Sequence, residues 1–350
     1  MKRFILRTLF MLLPILLIMV AVNYFGDAAH LFDDGYAKKM AGIIDGGKYV
    51  TNISNYDERL FEREMANKCK RPYDVLILGS SRTMLIGSGY FKNERVFNAS
   101  VSRATIEDQV AIYQMYKARN MLPRKILLCV DPWLFNKNNG QTQWGSLYNE
   151  YSQFFRGGKV IHIAPLQTSS KYRQLLSRSY FQSSLKTLYG NIKGINQPKA
   201  TSQKYNKTNT ELTDGSATYA EAFRNVTPAE LNGRVQEALT RDIYSIGHYD
   251  SLSPDAIKVF NMLVDDCKKQ NITLAFILQP YHPAVYAVIK NTHPTILKAE
   301  DYVIKYAAAN NIRLYGSYDP AKPGLDANDF FDGMHDKDAA IKKILARLDL

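Results

Sequence analysis

A pair of residues near the C-terminus and a serine far from them in the chain have the types needed for nucleophilic catalysis on an acyl group. Asp332 and His335 lie near the C-terminus in the stretch FFDGMH, just before a charged amphipathic segment. A histidine beside a carboxylate can act as a general base, because the carboxylate holds the tautomer and orientation of the imidazole. The alternative interpretation of the pair is a surface turn that leads into a last helix. Serine-dependent chemistry needs a distant nucleophile, and Ser81 is the candidate.

The candidate nucleophile follows an apolar run at a point where the chain must turn. The run at 74–78 ends in Gly79, and Ser80 and Ser81 come directly after it. At the start of a helix that follows a strand, backbone N–H groups and the positive dipole end stabilise negative charge on an attacked carbonyl. The alternative is that Ser80 or Ser81 only caps that helix. The pattern G-x-S-x-G is absent around these serines, so the α/β-hydrolase nucleophile elbow is not the expected geometry.

The elements that must position these residues alternate between strands and helices. Five short apolar runs have the continuous hydrophobicity of parallel strands that are covered on both faces. They are DVLILG (74–79), RVFNAS (95–100), KILLCV (125–130), ITLAFIL (272–278) and IRLYG (312–316). This alternation predicts a doubly wound α/β sheet, whose ligands bind beyond the carboxyl ends of the strands.

Helical spacing of apolar residues predicts the connecting helices. They are expected over 105–120, over 253–270 with Ser253 as the cap, and over 297–311. The region 136–250 breaks the alternation and is rich in tyrosine, serine, asparagine and glutamine. We interpret it as an insertion that covers the active-site end of the sheet, with a helix near 169–190.

Charge and composition limit the function classes. The chain has 350 residues, 46% of them hydrophobic, and a net charge of +12. The positive charge indicates an anionic neighbour, but no nucleic-acid-binding motif accompanies it, so nucleic acid is not expected. The histidines show no metal-ligand spacing, and no cofactor is predicted. Three cysteines do not form a disulfide framework: Cys129 is expected to be buried, while Cys69 and Cys267 could pair or remain two thiols.

The N-terminus has the pattern of a membrane anchor. Basic residues precede an uncharged, mostly apolar run over 8–25, and acidic residues follow it: Lys2, Arg3 and Arg7 before, Asp27, Asp33 and Asp34 after. A helix of that length spans roughly 27 Å, close to the hydrocarbon thickness of a bilayer. The charges predict a cytoplasmic N-terminus and an extracytoplasmic remainder. A cleaved signal peptide is the alternative. The expected division is an anchor over 1–25, a juxtamembrane segment over 26–70 and a domain over 71–350.

The stretches LILGSSRT, FNASVSRAT and DGMH, in this order, resemble the Ser-Gly-Asn-His (SGNH, GDSL-like) hydrolase superfamily over roughly residues 72–350. The resemblance implies a flavodoxin-like α/β/α sandwich. It makes Ser81 the nucleophile, as the third residue of the Gly-Asp-Ser block, with Ser80 in place of the usual aspartate. It makes His335 the base and Asp332 its partner, as the Asp-x-x-His block.

The resemblance also suggests residues around the substrate. Arg103 occupies the position of the glycine whose N–H lines the oxyanion hole, so the expected donors are the N–H groups of Ser81 and Arg103. Asp131 stands where the superfamily has an asparagine, and an ionised carboxylate cannot donate a hydrogen bond to an oxyanion. Either Asp131 points elsewhere, or it binds the acceptor or the acyl group, and the second is the expectation here. Trp133 and Arg82 are also expected to contact substrate, and so is His282, because it follows the fourth predicted strand at its carboxyl end.

A membrane-anchored subset of the superfamily is similar in architecture. It includes the protein of teichoic-acid D-alanylation and relatives that acylate cell-surface polysaccharides. The similarity implies an extracytoplasmic serine acyltransferase or esterase. Its partners would be a membrane-bound O-acyltransferase, an anionic cell-wall polymer or exopolysaccharide, and the membrane. The alternatives are a catalytically weak scaffold for that acyltransferase and a plain polysaccharide deacetylase.

Overall fold

The computed structural model describes residues 1–28, 30–32, 35–53, 55–163, 170–195, 197–240, 246–346 and 348. Asp33 and Asp34, on which part of the predicted topology rested, lie outside the described residues.

The described strands form two sheets, one large and parallel and the other small and antiparallel. In chain order they are β1 Tyr49–Thr51, β2 Val75–Leu78, β3 Val96–Asn98, β4 Lys125–Cys129, β5 Lys199–Thr201, β6 Thr210–Glu211, β7 Ala217–Thr218, β8 Thr273–Leu278 and β9 Arg313–Gly316.

Helices surround both sheets. They are α1 Lys2–Gly26, α2 Gly35–Asp45, α3 Glu58–Lys68, α4 Ile106–Ala118, α5 Tyr148–Phe154, α6 Ser170–Gln174, α7 Arg178–Ile192, α8 Glu221–Arg224, α9 Pro228–Thr240, α10 Pro254–Lys269, α11 Pro283–Thr292, α12 Pro294–Ala309 and α13 Asp338–Ile344. Short 3₁₀ turns occupy Ser88–Tyr90, Pro132–Phe135, Gln143–Leu147 and Ala327–Asp329.

The five predicted strands form one parallel sheet in the order β3-β2-β4-β8-β9. Counted along the chain this is 2-1-3-4-5, the order of flavodoxin-like doubly wound sheets. Every residue of β2 is buried, as the continuous apolar run required. The prediction of an α/β fold with a parallel sheet is therefore confirmed. The carboxyl ends of β2, β4 and β8 lie side by side, which is where a ligand site of this fold is built.

The predicted connecting helices are also present. Ser253 caps α10 by accepting a hydrogen bond from the N–H of Ala256 at 3.3 Å. Thr105 and Asp108 form a capping box at the start of α4. These caps satisfy backbone N–H groups that a helix leaves without partners in its first turn. The helix expected near 169–190 is divided into α6 and α7.

The small sheet joins the predicted juxtamembrane segment and the insertion, which were expected to be separate regions. Its order is β5-β1-β6-β7, so β1 from the predicted juxtamembrane segment lies between strands of the insertion. The insertion is also tied to the parallel sheet, because the N–H of Asn98 donates to Asp214 O at 2.8 Å and that of Ala217 to Met84 O at 2.8 Å. Hydrogen bonds therefore join the insertion both to β1 and to residues after β2 and at the end of β3.

The N-terminal run forms the long helix α1, whose end packs against α7. The amide of Asn23 donates to the carbonyls of Leu175 and Ser177 at 2.9 and 3.2 Å. Within the described part of the chain, no helix has both the length and the apolar character needed to cross a membrane. The predicted membrane-spanning anchor is therefore not supported. Cys69 and Cys267 do not form a disulfide, since Cys69, Cys129 and Cys267 are all buried free thiols.

The glycine that ends β2 is required by its surroundings. A Cβ atom on Gly79 would overlap Thr83 Oγ1 and lie 2.8 Å from Cys129 Cβ. We expect Gly79→Ala to lower the free energy of unfolding by about 2 kcal/mol, the usual penalty of overpacking. Urea denaturation measures it. In contrast, Gly233 lies within α9 with open space around it, so Gly233→Ala should stabilise the protein by about 0.5–1 kcal/mol. Equal effects of the two changes would contradict the steric explanation.

Candidate active site

The structure brings Ser81, His335 and Asp332 into one hydrogen-bonded line. Ser81 Oγ lies 3.0 Å from His335 Nε2, and His335 Nδ1 lies 2.8 Å from Asp332 Oδ2. With Nδ1–H donating to the carboxylate, Nε2 is left to accept the serine hydroxyl hydrogen. All three side chains are half-buried, so a substrate can reach them without the site being fully wet. The arrangement has the geometry of a nucleophile, a general base and its orienting carboxylate.

The carboxylate is fixed by its own loop. Asp332 Oδ1 accepts hydrogen bonds from the N–H groups of Met334 and His335 at 2.8 and 2.9 Å. Burial by itself raises the pKa of Asp332, but the charge of His335 and these hydrogen bonds outweigh it and lower the pKa to about 2. The group therefore stays ionised across the physiological range and holds the imidazole in one orientation.

The loop that carries the pair is closed by backbone contacts. A bridge pairs Phe330 with Asp336, and the N–H of Phe331 donates to His335 O at 2.9 Å. The N–H of His282 donates to Gly333 O at 3.0 Å. The loop is thereby tied to the end of β8. This explains why the pair stands at the carboxyl edge of the sheet rather than on a surface turn.

Ser81 lies in a turn, not at the start of a helix. The N–H of Thr83 donates to Ser80 O at 3.0 Å, and that of Arg82 to Ser80 Oγ at 3.3 Å. The expected helix after β2 is wrong, since the next helical element is the 3₁₀ turn at Ser88–Tyr90. The buried Ser80, not Ser81, accepts the backbone hydrogen bond within the turn, so Ser81 Oγ is free to bond with His335. Stabilisation by a helix dipole is therefore not available at this serine.

The loop that follows β3 has the backbone shape expected beside an oxyanion. Arg103 has a φ of +60°, in the left-handed region that favours glycine, which is the residue the resemblance places there. Glu58 accepts hydrogen bonds from the N–H and hydroxyl of Ser102, and Arg59 Nη2 donates to Ser102 O at 3.0 Å. Burial raises the pKa of Glu58, against the lowering effects of Arg59 and Ser102. Two residues of α3 thus hold this loop from behind.

Asp131 does not face a substrate. Its Oδ1 lies 3.1 Å from Arg82 Nη1, and the exposed fractions of the two side chains are 0% for Arg82 and 1% for Asp131. The expectation that Asp131 and Arg82 contact substrate is therefore corrected: they form a buried ion pair behind the nucleophile. The carboxylate that stands in the asparagine position acts as the counter-ion of the arginine next to Ser81.

The same guanidinium holds several loops together. Arg82 donates to the carbonyls of Gln279, Pro280 and Met334, the last two at 2.6 and 3.2 Å. It also stacks on Tyr281, 4.5 Å from the ring centroid. Since Met334 immediately precedes His335, Arg82 connects the turn of the nucleophile with the loop of the base. It is a positioning residue in this geometry.

Two further predicted substrate contacts are buried as well. Trp133 is 1% exposed and its indole N–H donates to Ala104 O at 2.9 Å, so it packs in the core. His282 caps α11, where its Nδ1 accepts from the N–H of Ala284 at 3.2 Å. Burial lowers the pKa of His282, although the charge of Asp332 opposes this shift. Both expectations of substrate contact are corrected by this burial.

The insertion contributes residues that sequence reasoning missed. The hydroxyl of Tyr219 donates to Ser81 O at 3.0 Å, and its ring meets His335 edge-on with centroids 6.0 Å apart. Phe223 lies 6.4 Å from the same imidazole. The stretch ATYAEAF has no spacing that identifies these contacts. This part of the insertion therefore lies beside Ser81 and His335.

A buried carboxyl behind the site has no hydrogen-bond partner. Neither oxygen of Asp336 has one in the described part of the protein. Burial raises the pKa of Asp336, and the positive charge of Arg82 only partly offsets this. Burial therefore disfavours the charged form of Asp336, and the carboxyl group that pairs with Arg82 is that of Asp131.

The chain belongs to a family described as proteins of unknown function, DUF1574, whose model matches residues 6–338. This match includes Ser81, Asp332 and His335. A comparison with curated proteins gave no match. In the described residues, no group of three or more histidine, cysteine or acidic side chains has the arrangement of a metal site.

The ion pair predicts the effect of neutralising Asp131. Asp131→Asn should lower the free energy of unfolding by about 3 kcal/mol, because it leaves the buried Arg82 charge without its partner. Denaturation in urea provides the measurement. Asp301→Asn serves as the control, since the exposed pair Asp301–Lys305 should contribute less than about 0.5 kcal/mol. A loss below about 1 kcal/mol for Asp131→Asn would contradict the assigned pairing.

The low pKa of Asp332 predicts a pH dependence of stability. Because folding lowers this pKa from its ordinary value of 3.8 to about 2, the ionised group stabilises the protein above pH 4. That stabilisation is lost as the pH falls toward 2. The difference in unfolding free energy between the wild type and Asp332→Asn should shrink by about 2 kcal/mol from pH 5 to pH 2. Urea denaturation over this range measures the difference, and a constant value would refute the assigned environment.

Proposed function

We propose that this DUF1574 protein is a serine-dependent acyl hydrolase or acyltransferase of the SGNH type. The observation that carries the proposal is the line from Ser81 Oγ through His335 to Asp332, with distances of 3.0 and 2.8 Å. The strand order of the parallel sheet and the place of the three motif stretches at its carboxyl edge support a relationship to that superfamily.

The reaction begins with proton transfer to the base. As Ser81 Oγ attacks the acyl carbonyl carbon, His335 Nε2 takes the hydroxyl proton and becomes an imidazolium, which Asp332 stabilises. The tetrahedral intermediate then expels the alcohol of the donor, and His335 gives it the proton. An acyl–serine ester remains. Water or an acceptor hydroxyl next attacks this ester and loses its proton to His335. The imidazolium returns this proton to Ser81 Oγ as the acyl–serine bond breaks.

The oxyanion must be stabilised mainly by backbone. The candidate donors are the N–H groups of Ser81 and Arg103, since Arg103 has the left-handed backbone that favours glycine and the resemblance aligns it with a glycine. Asp131 supplies no third donor because it is bound to Arg82. Losing one such donor typically lowers turnover about 100- to 1,000-fold. We therefore expect slow hydrolysis of simple esters.

The aromatic cover favours transfer over hydrolysis. Tyr219 and Phe223 lie against His335, and both are half-buried. We infer that these rings restrict the access of water to the acyl–serine, which would leave an acceptor that can displace them at an advantage. We propose a hydroxyl of a cell-envelope polymer or exopolysaccharide as acceptor. A membrane-bound O-acyltransferase is the proposed partner, and the net charge of +12 suits an anionic polymer.

A position at the outer face of a membrane is proposed from the N-terminus. The described apolar side chains of α1 between Phe10 and Ile18 are largely exposed, which a water-facing helix does not favour.

The test uses the full chain and a serine-reactive fluorophosphonate. We expect the wild type to be labelled, Ser81→Ala to show no labelling, and His335→Ala to lower the labelling rate by at least about 1,000-fold, since these residues act as one unit. Ser80→Ala is the matched control, because the neighbouring serine is buried in its turn. It should retain labelling, with at most a tenfold loss.

The outcomes separate the candidate functions. Labelling that survives Ser81→Ala but not Ser80→Ala would move the nucleophile by one residue and overturn the triad. A wild-type chain that is never labelled would indicate the scaffold alternative. Fast hydrolysis of small acetyl esters by the wild type would favour a plain deacetylase over a transferase.

A further inference from the structure

Outside α1, the exposed large apolar side chains are concentrated in one segment of the chain. In the segment that contains α6 and α7, six of them have exposed fractions between 44% and 77%. They are Tyr172, Leu176, Leu185, Tyr189, Ile192 and Ile195. Elsewhere in the described domain only Tyr205, Val288 and Ile304 are comparable. A monomer surface rarely keeps such a cluster without an interaction that covers it.

The same part of the chain has a strongly one-sided charge. Residues 151–200 contain eight lysines and arginines and no aspartate or glutamate. On α7 the exposed Lys186 and Lys193 flank the apolar residues, and the Lys193 ammonium lies 5.8 Å from the centroid of the Tyr189 ring. Basic side chains beside an exposed apolar stripe are typical of helices that lie in the interface of an anionic bilayer.

Contacts with α1 determine which face of α7 is exposed. Tyr180 and Ser184 are buried toward α1: the Tyr180 hydroxyl donates to Asp27 at 2.8 Å, and the Ser184 backbone packs against Gly26. Leu185, Tyr189 and Ile192 follow one another by four and three residues, so they form a stripe on the outer side. This stripe therefore has a fixed direction, away from the contact with α1.

We propose that α7 lies in the headgroup region of an anionic lipid bilayer and holds the domain against it. The apolar stripe enters the acyl boundary, while Lys186 and Lys193 contact lipid phosphates. A second copy of the chain is a poorer occupant, because two surfaces of the same positive charge repel each other. The proposal does not depend on catalysis at Ser81. It also requires no helix that crosses the membrane.

An environment-sensitive fluorophore tests the contact. Ile192→Cys in the full chain gives one reactive thiol, since the three native cysteines are buried. The control is Ile304→Cys on α12, another exposed isoleucine far along the chain. With vesicles of phosphatidylcholine and phosphatidylglycerol, the label at 192 should brighten several-fold and be quenched by nitroxide-labelled lipid. The label at 304 should change little.

A second pair of variants tests the charge. Lys186→Gln with Lys193→Gln should weaken the vesicle-induced signal at 192, by about fivefold in affinity per lysine. Lys258→Gln with Lys290→Gln, equally exposed on α10 and α11, should leave it unchanged. The proposal is overturned if, on the vesicle-bound chain, the label at 192 reports the same polar environment as the label at 304. It is also overturned if the chain binds no vesicles. Brightening without vesicles that rises with protein concentration overturns it in favour of a second copy.

Discussion

A buried positive charge beside Ser81 governs the arrangement of the site. The Arg82 guanidinium has no contact with water, so its desolvation must be offset by acceptors inside the protein. They come from Asp131 after β4, from two carbonyls after β8 and from Met334 in the loop of the base. These segments meet only if the strands lie in the observed order. The ion pair therefore depends on the sheet, and the alignment of Ser81 with His335 depends on the ion pair.

The carboxylate in place of the expected asparagine is explained by the same charge. An amide at that position would remove the carboxyl group that pairs with Arg82, and burial disfavours the charged form of the neighbouring Asp336 by raising its pKa. Arg82 and Asp131 thus form an ion pair next to Ser81, where the superfamily would have an asparagine in place of Asp131. The loop after β3 keeps Arg103 in a left-handed backbone conformation, and Glu58 and Arg59 hold this loop through Ser102.

The sequence predicted the parallel sheet well because its strands are buried on both faces, and their apolar runs therefore need no alternation to be recognised. It also predicted the three residues of the hydrogen-bonded line, since they belong to short motifs. The roles of Arg82, Asp131 and Trp133 could not be read in this way. Their partners are distant in the chain, and a polar residue at a strand end looks the same whether it faces substrate or core. Two- and three-residue strands such as β6 and β1 have too few residues for a pattern, so the small sheet was missed.

The position of β1 has a practical consequence for recombinant fragments. A fragment that begins at residue 71, the expected domain boundary, would lack β1 and α3. Strands β5 and β6 would then lose their neighbour, and Ser102 would lose both Glu58 and Arg59. Beginning at Gly35 keeps these elements but uncovers the inner face of α7, where Tyr180 and Ser184 normally meet the end of α1. The first fragment would lose contacts that hold the loop of Ser102, whereas the second would expose a normally covered face of α7. Loss of activity in either fragment would therefore say little about the chemistry of the intact chain.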